Sequence, residues 1–345
     1  MSACSTLGLS EPLQIPVFLS SIIRTVHVAL SAVAAVVVAA AVVAGAVVAA
    51  AVAGAEVMNS QTDRVGLGWR PELAAGIFDH LDQIDLVEVI ADDYFAAAAR
   101  EIQALKTLSS TLSVVLHGIG MGLASTAPVQ QRCFDRMARL CEQVRPELWS
   151  EHLAFVRAGG IEIDHLAAPP RTSENVEAAA NNIFRAVKAI GSKPQLENIA
   201  TLIDPPGSVL SEATWINSIL AATGCRLLLD LHNVLANGLN HGYDPFSFLA
   251  KIPPSRIRSI HIAGGKLISA PDGTTRLLDD HLHDVPDPVF ALLEETAITS
   301  PNPLTVILER DGDFPSMPAL LSQMRQARQA VARGRARKLT ATVLV

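Results

Sequence analysis

Short apolar runs alternate with longer amphipathic stretches along most of the chain after Met58. The short runs are rich in Val, Leu and Ile and have the length of β-strands, whereas the longer stretches repeat apolar residues at helical spacing. This alternation is typical of a parallel sheet built from βα units. The predicted strands are Val65–Trp69, Leu86–Ile90, Ser113–His117, Leu148–His152, Pro194–Asn198, Arg226–Leu231, Ile257–Ile262 and Leu304–Glu309.

Helices are predicted between these strands, and several begin with Pro, Ser or Thr, as helix N-termini prefer. They are Pro71–Gln83, Tyr94–Leu108, Val129–Val144, Thr172–Ile190, Ser211–Thr223, Pro288–Ala297 and Pro315–Arg333. Eight strands with intervening helices predict one TIM (β/α)8 barrel over residues 58–333, followed by a basic tail over 334–345. A solvated face is expected for the basic side chains of this region, Arg325, Arg328, Arg333, Arg335, Arg337 and Lys338.

The first 57 residues have a different composition. Residues 28–55 carry no charge and consist mostly of Ala and Val, a stretch longer than the roughly 20 residues that a membrane-spanning helix needs. Three interpretations stay open: a membrane anchor, a signal peptide cleaved near Ala53-Gly54-Ala55, or an upstream extension with the true start at Met58. We expect a cytoplasmic catalytic domain, which is membrane-anchored if this segment is genuine.

Charge and cysteine content argue against a nucleic-acid-binding protein and against a disulfide-stabilised fold. The formal net charge is -7 and aromatic residues make up 4% of the chain, so neither a basic footprint nor stacking residues favour nucleic acid as a partner. The four cysteines, Cys4, Cys133, Cys141 and Cys225, show no C-x-x-C spacing. Reduced thiols are therefore expected, without a disulfide framework.

Polar residues stand at the end of most predicted strands. They are His117, Glu151 with His152, Glu197 with Asn198, Asp230 with His232, His261, and Glu309 with Asp311. In such a barrel the carboxyl ends of the strands converge on one mouth, where active sites lie. The long loop predicted after the seventh strand adds residues 279–284, Asp-Asp-His-Leu-His-Asp, close to the same mouth.

Several carboxylates in one enclosed mouth need compensation, because each buried ion costs on the order of several kcal/mol. The carboxylates are Glu151, Glu197, Asp230 and Glu309. Raised pKa values, pairing with Arg or Lys, or bound cations could each compensate them. Few basic residues are placed to help, so a divalent metal is the simplest solution. Imidazole and carboxylate ligands favour iron, manganese or zinc. Polar strand ends also occur in metal-free barrels.

Longer motifs surround these residues. They are Gly66-Leu67-Gly68-Trp69-Arg70-Pro71, Leu116-His117-Gly118, Ser150-Glu151-His152-Leu153-Ala154-Phe155, Leu196-Glu197-Asn198, Leu229-Asp230, Asn240-His241-Gly242-Tyr243-Asp244-Pro245, Ile260-His261-Ile262-Ala263-Gly264, Asp279-Asp280-His281 and Leu308-Glu309-Arg310-Asp311. In these motifs the chain resembles domain of unknown function family 692. This family is now called the multinuclear non-heme iron-dependent oxidases and includes the methanobactin biosynthesis oxidase.

The resemblance implies a xylose-isomerase-like barrel with two or three irons at its mouth. Characterised members use iron and dioxygen to modify cysteines of ribosomally made precursor peptides, often with a small partner protein that presents the peptide. The ligands it implies are His117, Glu151, Glu197, Asp230, His261, Asp279, His281 and Glu309. Asn198, His232, Asn233 and His283 are additional candidates.

The chain departs from the family pattern at three places. Ile90 stands where the family has a ligating histidine, His232-Asn233 replaces a usual Asn-Asn, and Gly265 replaces a histidine. The lost imidazoles favour two metals over three, and His232 or His283 could substitute for them. They also favour chemistry that differs from the methanobactin reaction.

Three functions follow from this reading. The leading one is an iron- and dioxygen-dependent oxidase acting on a peptide cysteine or a related small thiol. The second is a redox-neutral isomerase, epimerase or hydrolase that uses manganese or zinc as a Lewis acid. The third is a catalytically inert barrel that serves as a binding or accessory module. No catalytic side chain beyond the ligands can be assigned from the sequence.

Overall fold

Eight parallel strands close into a barrel in the computed structural model, which describes residues 62–158, 161–269 and 273–343. Their spatial order is β1-β12-β9-β8-β7-β4-β3-β2. The strands are β1 (Arg64–Gly68), β2 (Leu86–Ile90), β3 (Ser113–Gly118), β4 (Trp149–His152), β7 (Gln195–Glu197), β8 (Arg226–Asp230), β9 (Ile257–Ile262) and β12 (Thr305–Leu308). These are the predicted strands, so the predicted barrel is confirmed.

Helices surround the barrel. They are α1 (Ala74–Asp79), α2 (Ala99–Thr111), α3 (Gln131–Val144), α4 (Ser173–Ile190), α5 (Glu212–Thr223), α6 (Leu231–His241), α7 (Pro245–Leu249), α8 (Asp287–Thr299) and α9 (Met317–Val343). Short 3-10 turns cover Pro71–Leu73, Asp92–Tyr94 and Pro254–Arg256. Thr172 and Ser211 accept backbone N–H groups at the starts of α4 and α5, and Gly191 and Gly224 end these helices in the left-handed conformation.

Two antiparallel hairpins follow barrel strands β4 and β9. One pairs β5 (Phe155–Ala158) with β6 (Ile161–Ala167), and the other pairs β10 (Gly264–Ser269) with β11 (Thr275–His283). The predicted long loop after the seventh strand is therefore largely sheet. Strand β11 carries Asp279 and His281.

The apolar core lies between the barrel strands and the helices around them. Leu116, Leu196, Leu229 and Ile260 on four barrel strands are completely buried. Side chains alternate along a strand, so these apolar positions face the helices and the positions between them face the barrel interior. The interior positions near the carboxyl ends carry the polar side chains of the mouth.

The last helix differs from its prediction. Helix α9 was expected to end at Arg333, but it continues to Val343, so the described part of the predicted basic tail is helical. Its cations are not simply solvated: Arg328 pairs with Asp85, and Arg335 pairs with Asp63. These aspartates lie just before β1 and β2, so α9 packs its charges against the amino-terminal end of the barrel.

Some expectations fall on residues 1–57, which lie outside the described residues. Among the helices that the structure describes, none has both the length and the hydrophobicity needed to cross a membrane. Cys133, Cys141 and Cys225 are free thiols, as expected. Cys4 lies outside the described residues.

Candidate metal centre

Three groups of imidazoles and carboxylates lie at the carboxyl ends of the barrel strands. The first group is His117, His152 and Glu197; the second is Glu197, Asp230, His261 and Glu309; the third is His232, Asp279 and His281. Within each group the potential ligand atoms lie within 4.8 Å of one another. Glu197 belongs to both the first and the second group, so its two carboxylate oxygens join them.

In the first group, two imidazoles point at one carboxylate oxygen. The Nε2 atoms of His117 and His152 lie 3.3 and 3.4 Å from Glu197 Oε2. Each ring is held by its other nitrogen, since His152 Nδ1 donates to the Gly118 carbonyl at 3.2 Å and His117 Nδ1 lies 2.8 Å from Ser150 Oγ. A carbonyl oxygen can only accept, so Nδ1 of His152 carries a proton, and the neutral ring presents a lone pair at Nε2.

The electrostatics of this group favour a proton or a cation between its members. Burial lowers the pKa of His152 to about 4 and that of His117 well below its ordinary value, so both rings are neutral at neutral pH. Burial raises the pKa of Glu197 to about 7. Lone pairs that face a carboxylate repel it unless a proton or a metal ion lies between them. Holding Nδ1 by hydrogen bond while Nε2 is free is the usual arrangement of metal-binding histidines.

The second group surrounds His261. Its Nδ1 lies 3.2 Å from Glu197 Oε1 and 3.0 Å from Glu309 Oε2, and its Nε2 lies 2.9 Å from Glu88 Oε1. Asp230 accepts the Asn233 backbone N–H through Oδ1, which begins helix α6, and its buried Oδ2 has no hydrogen-bond partner in the described part of the chain. This leaves Oδ2 available to a cation.

Charges in the second group depend strongly on one another. Burial alone would lower the pKa of His261, but the carboxylates of Glu309, Glu88 and Glu197 raise it well above its ordinary value. Burial, and then the charge of Asp279, raises the pKa of Asp230. Without a metal this group therefore retains protons at neutral pH, and a bound divalent ion would displace them.

The third group lies between helix α6 and strand β11. Asp279 Oδ1 is 2.7 Å from His232 Nδ1 and 2.8 Å from His281 Nε2. His281 Nδ1 lies 3.1 Å from Asp311 Oδ2 and 3.7 Å from Glu309 Oε2, which connects this group to the second one. His281 has a φ of 53°, a left-handed conformation that is uncommon for a residue with a side chain. Such strain is often found at functional sites.

The structure brings most of the predicted ligands together. The groups contain these members of the predicted set: His117, Glu197, Asp230, His261, Asp279, His281, Glu309 and the additional candidate His232. It places Glu151, Asn198, Asn233 and His283 outside the three groups. That any of these residues binds a metal ion stays a prediction.

Glu151 lies outside the three groups, although its Oε1 is 3.9 Å from Nδ1 of His152. A Cβ at Gly118 would lie 2.5 Å from Glu151 Oε2, so the glycine leaves room for this carboxylate. The backbone N–H groups of His152 and Met121 donate to it. Burial raises its pKa well above the ordinary value, which favours the protonated form.

The other three residues outside the groups have local partners. Asn198 forms two hydrogen bonds with the backbone of Asp230, at 2.9 and 3.0 Å. Asn233 donates to the Asn198 carbonyl, and its buried Oδ1 has no partner among the described residues. His283 is 45% exposed and contacts Asp280. Asn198 and Asn233 therefore brace the ligand-bearing strand ends, and His283 lies at the surface.

Two residues were missed by the sequence reasoning. His152 was recognised as polar but was passed over for its neighbour Glu151, because the sequence does not show which of two adjacent residues faces inward. Glu88 lies within the otherwise apolar strand β2 and is buried. A charged residue inside an apolar strand was the available signal. Ile90 lies beside His117 in the register of β2 and β3, so this part of the mouth is apolar.

Comparisons with known proteins identify the family. A family model described as "RiPP precursor modification enzyme MbnB/TglH/ChrH" matches residues 64–332. The chain belongs to this family. It comprises enzymes that modify precursors of ribosomally made peptides, and it is the family formerly called domain of unknown function 692. The resemblance found in the sequence is thereby confirmed.

Relatives from several bacteria support the assignment. A UPF0276 protein of Caulobacter vibrioides is 31% identical over 280 residues, which cover 81% of this chain and 98% of the relative. Another from Streptomyces avermitilis is 33% identical over 273 residues, covering 77% of this chain and 54% of the relative. UPF0276 is another name of the same family.

Solved structures confirm the type of barrel. An L-ribulose 3-epimerase matches with a TM-score of 0.51 at 14% identity and covers 82% of this chain and 98% of its own. A xylose isomerase domain protein of Salmonella typhimurium matches with a TM-score of 0.51 at 13% identity, covering 80% and 99%. At these identities the likeness concerns the fold alone, which is a xylose-isomerase-like TIM barrel.

Proposed function

We propose that the chain is a multinuclear non-heme iron oxidase that modifies a cysteine of a ribosomally made peptide or a related small thiol. The family supports a peptide-modifying enzyme. One observation carries the finer proposal: Glu197 is shared by two buried groups of imidazoles and carboxylates. A carboxylate with an imidazole-containing group at each oxygen is suited to bridging two cations.

The residues fit this assignment. His117, His152 and Glu197 would hold one ion, and Glu197, Asp230, His261 and Glu309 would hold a second. Imidazole and carboxylate ligands suit iron, manganese or zinc better than a soft metal. When bound, iron supplies the one-electron exchange with dioxygen that oxidation of a thiol requires.

The surrounding residues orient and shield these ligands. Ser150 and the Gly118 carbonyl fix the rings of His117 and His152, and Glu88 Oε1 lies 2.9 Å from Nε2 of His261. The side chains of the second group are at most 6% exposed, so the protein excludes bulk water from them. In this dry environment each charged contact is stronger than it would be in water.

The test uses protein purified without oxygen. Iron content and Mössbauer spectra should show coupled iron, and oxygen should be consumed when a short Cys-containing peptide encoded beside the gene, or glutathione, is added. Glu197→Gln should abolish the coupled signal and the oxygen uptake, whereas Glu162→Gln, on the exposed hairpin, should preserve both. Protein that binds no iron would overturn the proposal.

The redox-neutral alternative is favoured by the carboxylate-rich second group, which also suits a Lewis-acidic manganese ion. The same experiment separates the two functions. Retention of manganese or zinc, with no oxygen uptake on addition of either thiol, would favour an isomerase, epimerase or hydrolase. Retention of metal with no turnover of any substrate would favour the inert binding module.

A further inference from the structure

A polar cleft separate from the metal centre lies where the loop after β7 meets helices α5, α6 and α7. Its volume is about 560 Å³, which is within the range of small-ligand sites. Asp204 of this loop lines it, together with His241 and Tyr243 of the Asn240–Pro245 motif. The residues that line the cleft belong to none of the three metal-ligand groups, and the proposed reaction does not use them.

The cleft contains a buried arginine, Arg171, whose side chain is only 8% exposed. Its Nη1 donates to Asp204 Oδ1 at 2.7 Å, whereas its Nη2 lies 3.9 Å from Glu212 Oε2, beyond hydrogen-bond distance. Nε and Nη2 therefore have no hydrogen-bond partner in the part of the chain that the structure describes. These two nitrogens form one edge of the planar guanidinium, and such an edge matches the two oxygens of a carboxylate.

Glu212 compensates the charge of this arginine without occupying that edge. Asn237 Nδ2 donates to its two carboxylate oxygens at 3.2 and 3.3 Å, and the Tyr243 hydroxyl donates to Oε2 at 3.3 Å. Burial raises the pKa of Glu212 to about 6, and the charge of Arg171 acts in the opposite direction. The carboxylate is therefore ionised at neutral pH and is held by donors other than Nε and Nη2 of Arg171.

Apolar side chains line the cleft beside these polar groups. The rings of Tyr243 and Phe248 are stacked, with their centroids 6.1 Å apart, and Leu210 lies beside them in the lining. Val209 also lines the cleft and is 77% exposed, so an apolar group of a ligand would cover it. Lys251 adds an exposed cation that has no ion-pair partner among the described residues. The lining thus suits a negatively charged ligand with an apolar body.

We propose that this cleft binds a carboxylate carried on an apolar body. The two oxygens of the ligand accept from Nε and Nη2 of Arg171, and its apolar part lies against Tyr243 and Phe248. Asp204 keeps its contact with Nη1, so the loop after β7 stays in place when the ligand binds. A free organic acid and an acidic residue beside an apolar residue in a peptide both offer this chemistry.

Two pairs of probes separate these sources in calorimetric titrations of the full-length protein as purified. The first pair is N-acetyl-leucine and its uncharged amide, and the second is a short peptide with blocked ends that contains Asp-Leu and its Asn-Leu counterpart. The variant is Arg171→Gln, and the matched control is Arg325→Gln, which changes an exposed arginine of α9. Far-UV circular dichroism checks the fold. Arg171→Lys keeps the charge but lacks the flat edge, and it replaces Arg171→Gln if that variant does not fold.

We expect the wild type and Arg325→Gln to bind the charged member of at least one pair about 10-fold or more tightly than its uncharged match. Arg171→Gln should lose this preference, and the pair that binds more tightly identifies the source of the carboxylate. Equal binding of charged and uncharged probes, or an unchanged preference in Arg171→Gln, would overturn the proposal.

A carboxylate could also bind at the metal centre, and Glu197→Gln distinguishes the two places. This variant changes the metal centre and should bind the charged probes as the wild type does. Affinity that is lost in Glu197→Gln and retained in Arg171→Gln would place the carboxylate on the metal ions, and the cleft would then have no such role. If the protein binds no iron while the calorimetric results hold, the oxidase proposal fails and the carboxylate site stands.

Discussion

The imidazoles of the first two groups are each contacted by a residue of another barrel strand. Ser150 and Gly118 hold His117 and His152, and Glu88 holds His261. These contacts fix which ring nitrogen is free to bind a cation. Substitutions of the orienting residues should therefore weaken metal binding without removing a ligand.

Glu88 allows a direct test of whether a residue that contacts a candidate ligand affects metal binding. Glu88→Gln removes the negative charge that faces Nε2 of His261 and retains nearly the same volume. We expect metal affinity to fall about 10- to 100-fold, as is typical for residues that orient a metal ligand. Chelator competition measures the affinity, and Glu162→Gln provides the control. Equal affinities for the two variants would contradict the orienting role.

Substitutions of the neighbours Glu151 and His152 test which of the two is a metal ligand. His152→Asn removes an imidazole aimed at Glu197 and should lower the metal content of the purified protein by about one equivalent, since three-ligand sites depend on each ligand. Glu151→Gln mimics the protonated carboxyl that burial favours and should have the smaller effect. Metal analysis of both proteins decides between them. A larger loss in Glu151→Gln would support Glu151 as the ligand.

Metal binding should depend on pH through Glu197. Because its pKa is raised to about 7, this carboxyl retains a proton below that pH and competes with the metal. The raised pKa values of His261 and His281 act in the same direction. Affinity for manganese(II) should therefore increase from about pH 6 to about pH 8, with release of protons. Calorimetry in buffers of different ionisation enthalpy measures both, and affinity that falls with pH would contradict this assignment.

At the scale of elements, the barrel strands were predictable because each is a short apolar run between helical repeats. The strands β2 and β9 have their predicted bounds. The hairpin strand β11 was not recognised, since its residues Thr275–His283 are mostly half-buried and do not alternate between apolar and polar. Helix α6 was missed because it begins directly after Asp230, without an intervening loop.

The sequence predicted which residues gather at the candidate site, but not how each of them is oriented. In this fold the carboxyl ends of the strands converge on one mouth, so the residues at the strand ends in the sequence are the residues that line it. Which neighbour faces inward does not follow, as His152 shows, because a shift of one residue reverses the face of a strand. The proximity of His232 to Gly265 depends on the packing of α6 against the β10–β11 hairpin and has no local signal in the sequence.

At the scale of the molecule, helix α9 connects the last part of the chain to the start of the barrel. Arg335 donates to both carboxylate oxygens of Asp63 and to the carbonyl oxygens of Ala297, Ser300 and Asn302. One side chain thus joins the segment before β1 to the end of α8 and the loop that follows it. The predicted solvated face is, at this arginine, a structural contact.

Arg335→Ala should therefore destabilise the whole barrel. Loss of several charge-assisted hydrogen bonds should lower the free energy of unfolding by about 2–4 kcal/mol. Urea denaturation measures the change. Arg325→Ala, which removes an exposed arginine from the same helix, should change the stability by less than about 0.5 kcal/mol. Equal effects of the two substitutions would argue against this role.

The shared volume of Gly265 and His232 also restricts how such a barrel can evolve. A side chain at position 265 would collide in this backbone with the ring of His232 and with the backbone oxygen of Leu278. Loss of the ring at 232 would therefore not be enough to admit a side chain at 265, because the backbone of strand β11 would also have to move. Among homologues, glycine should therefore stand at position 265 wherever position 232 is histidine, and a side chain at 265 should accompany both another residue at 232 and a shifted β10–β11 hairpin.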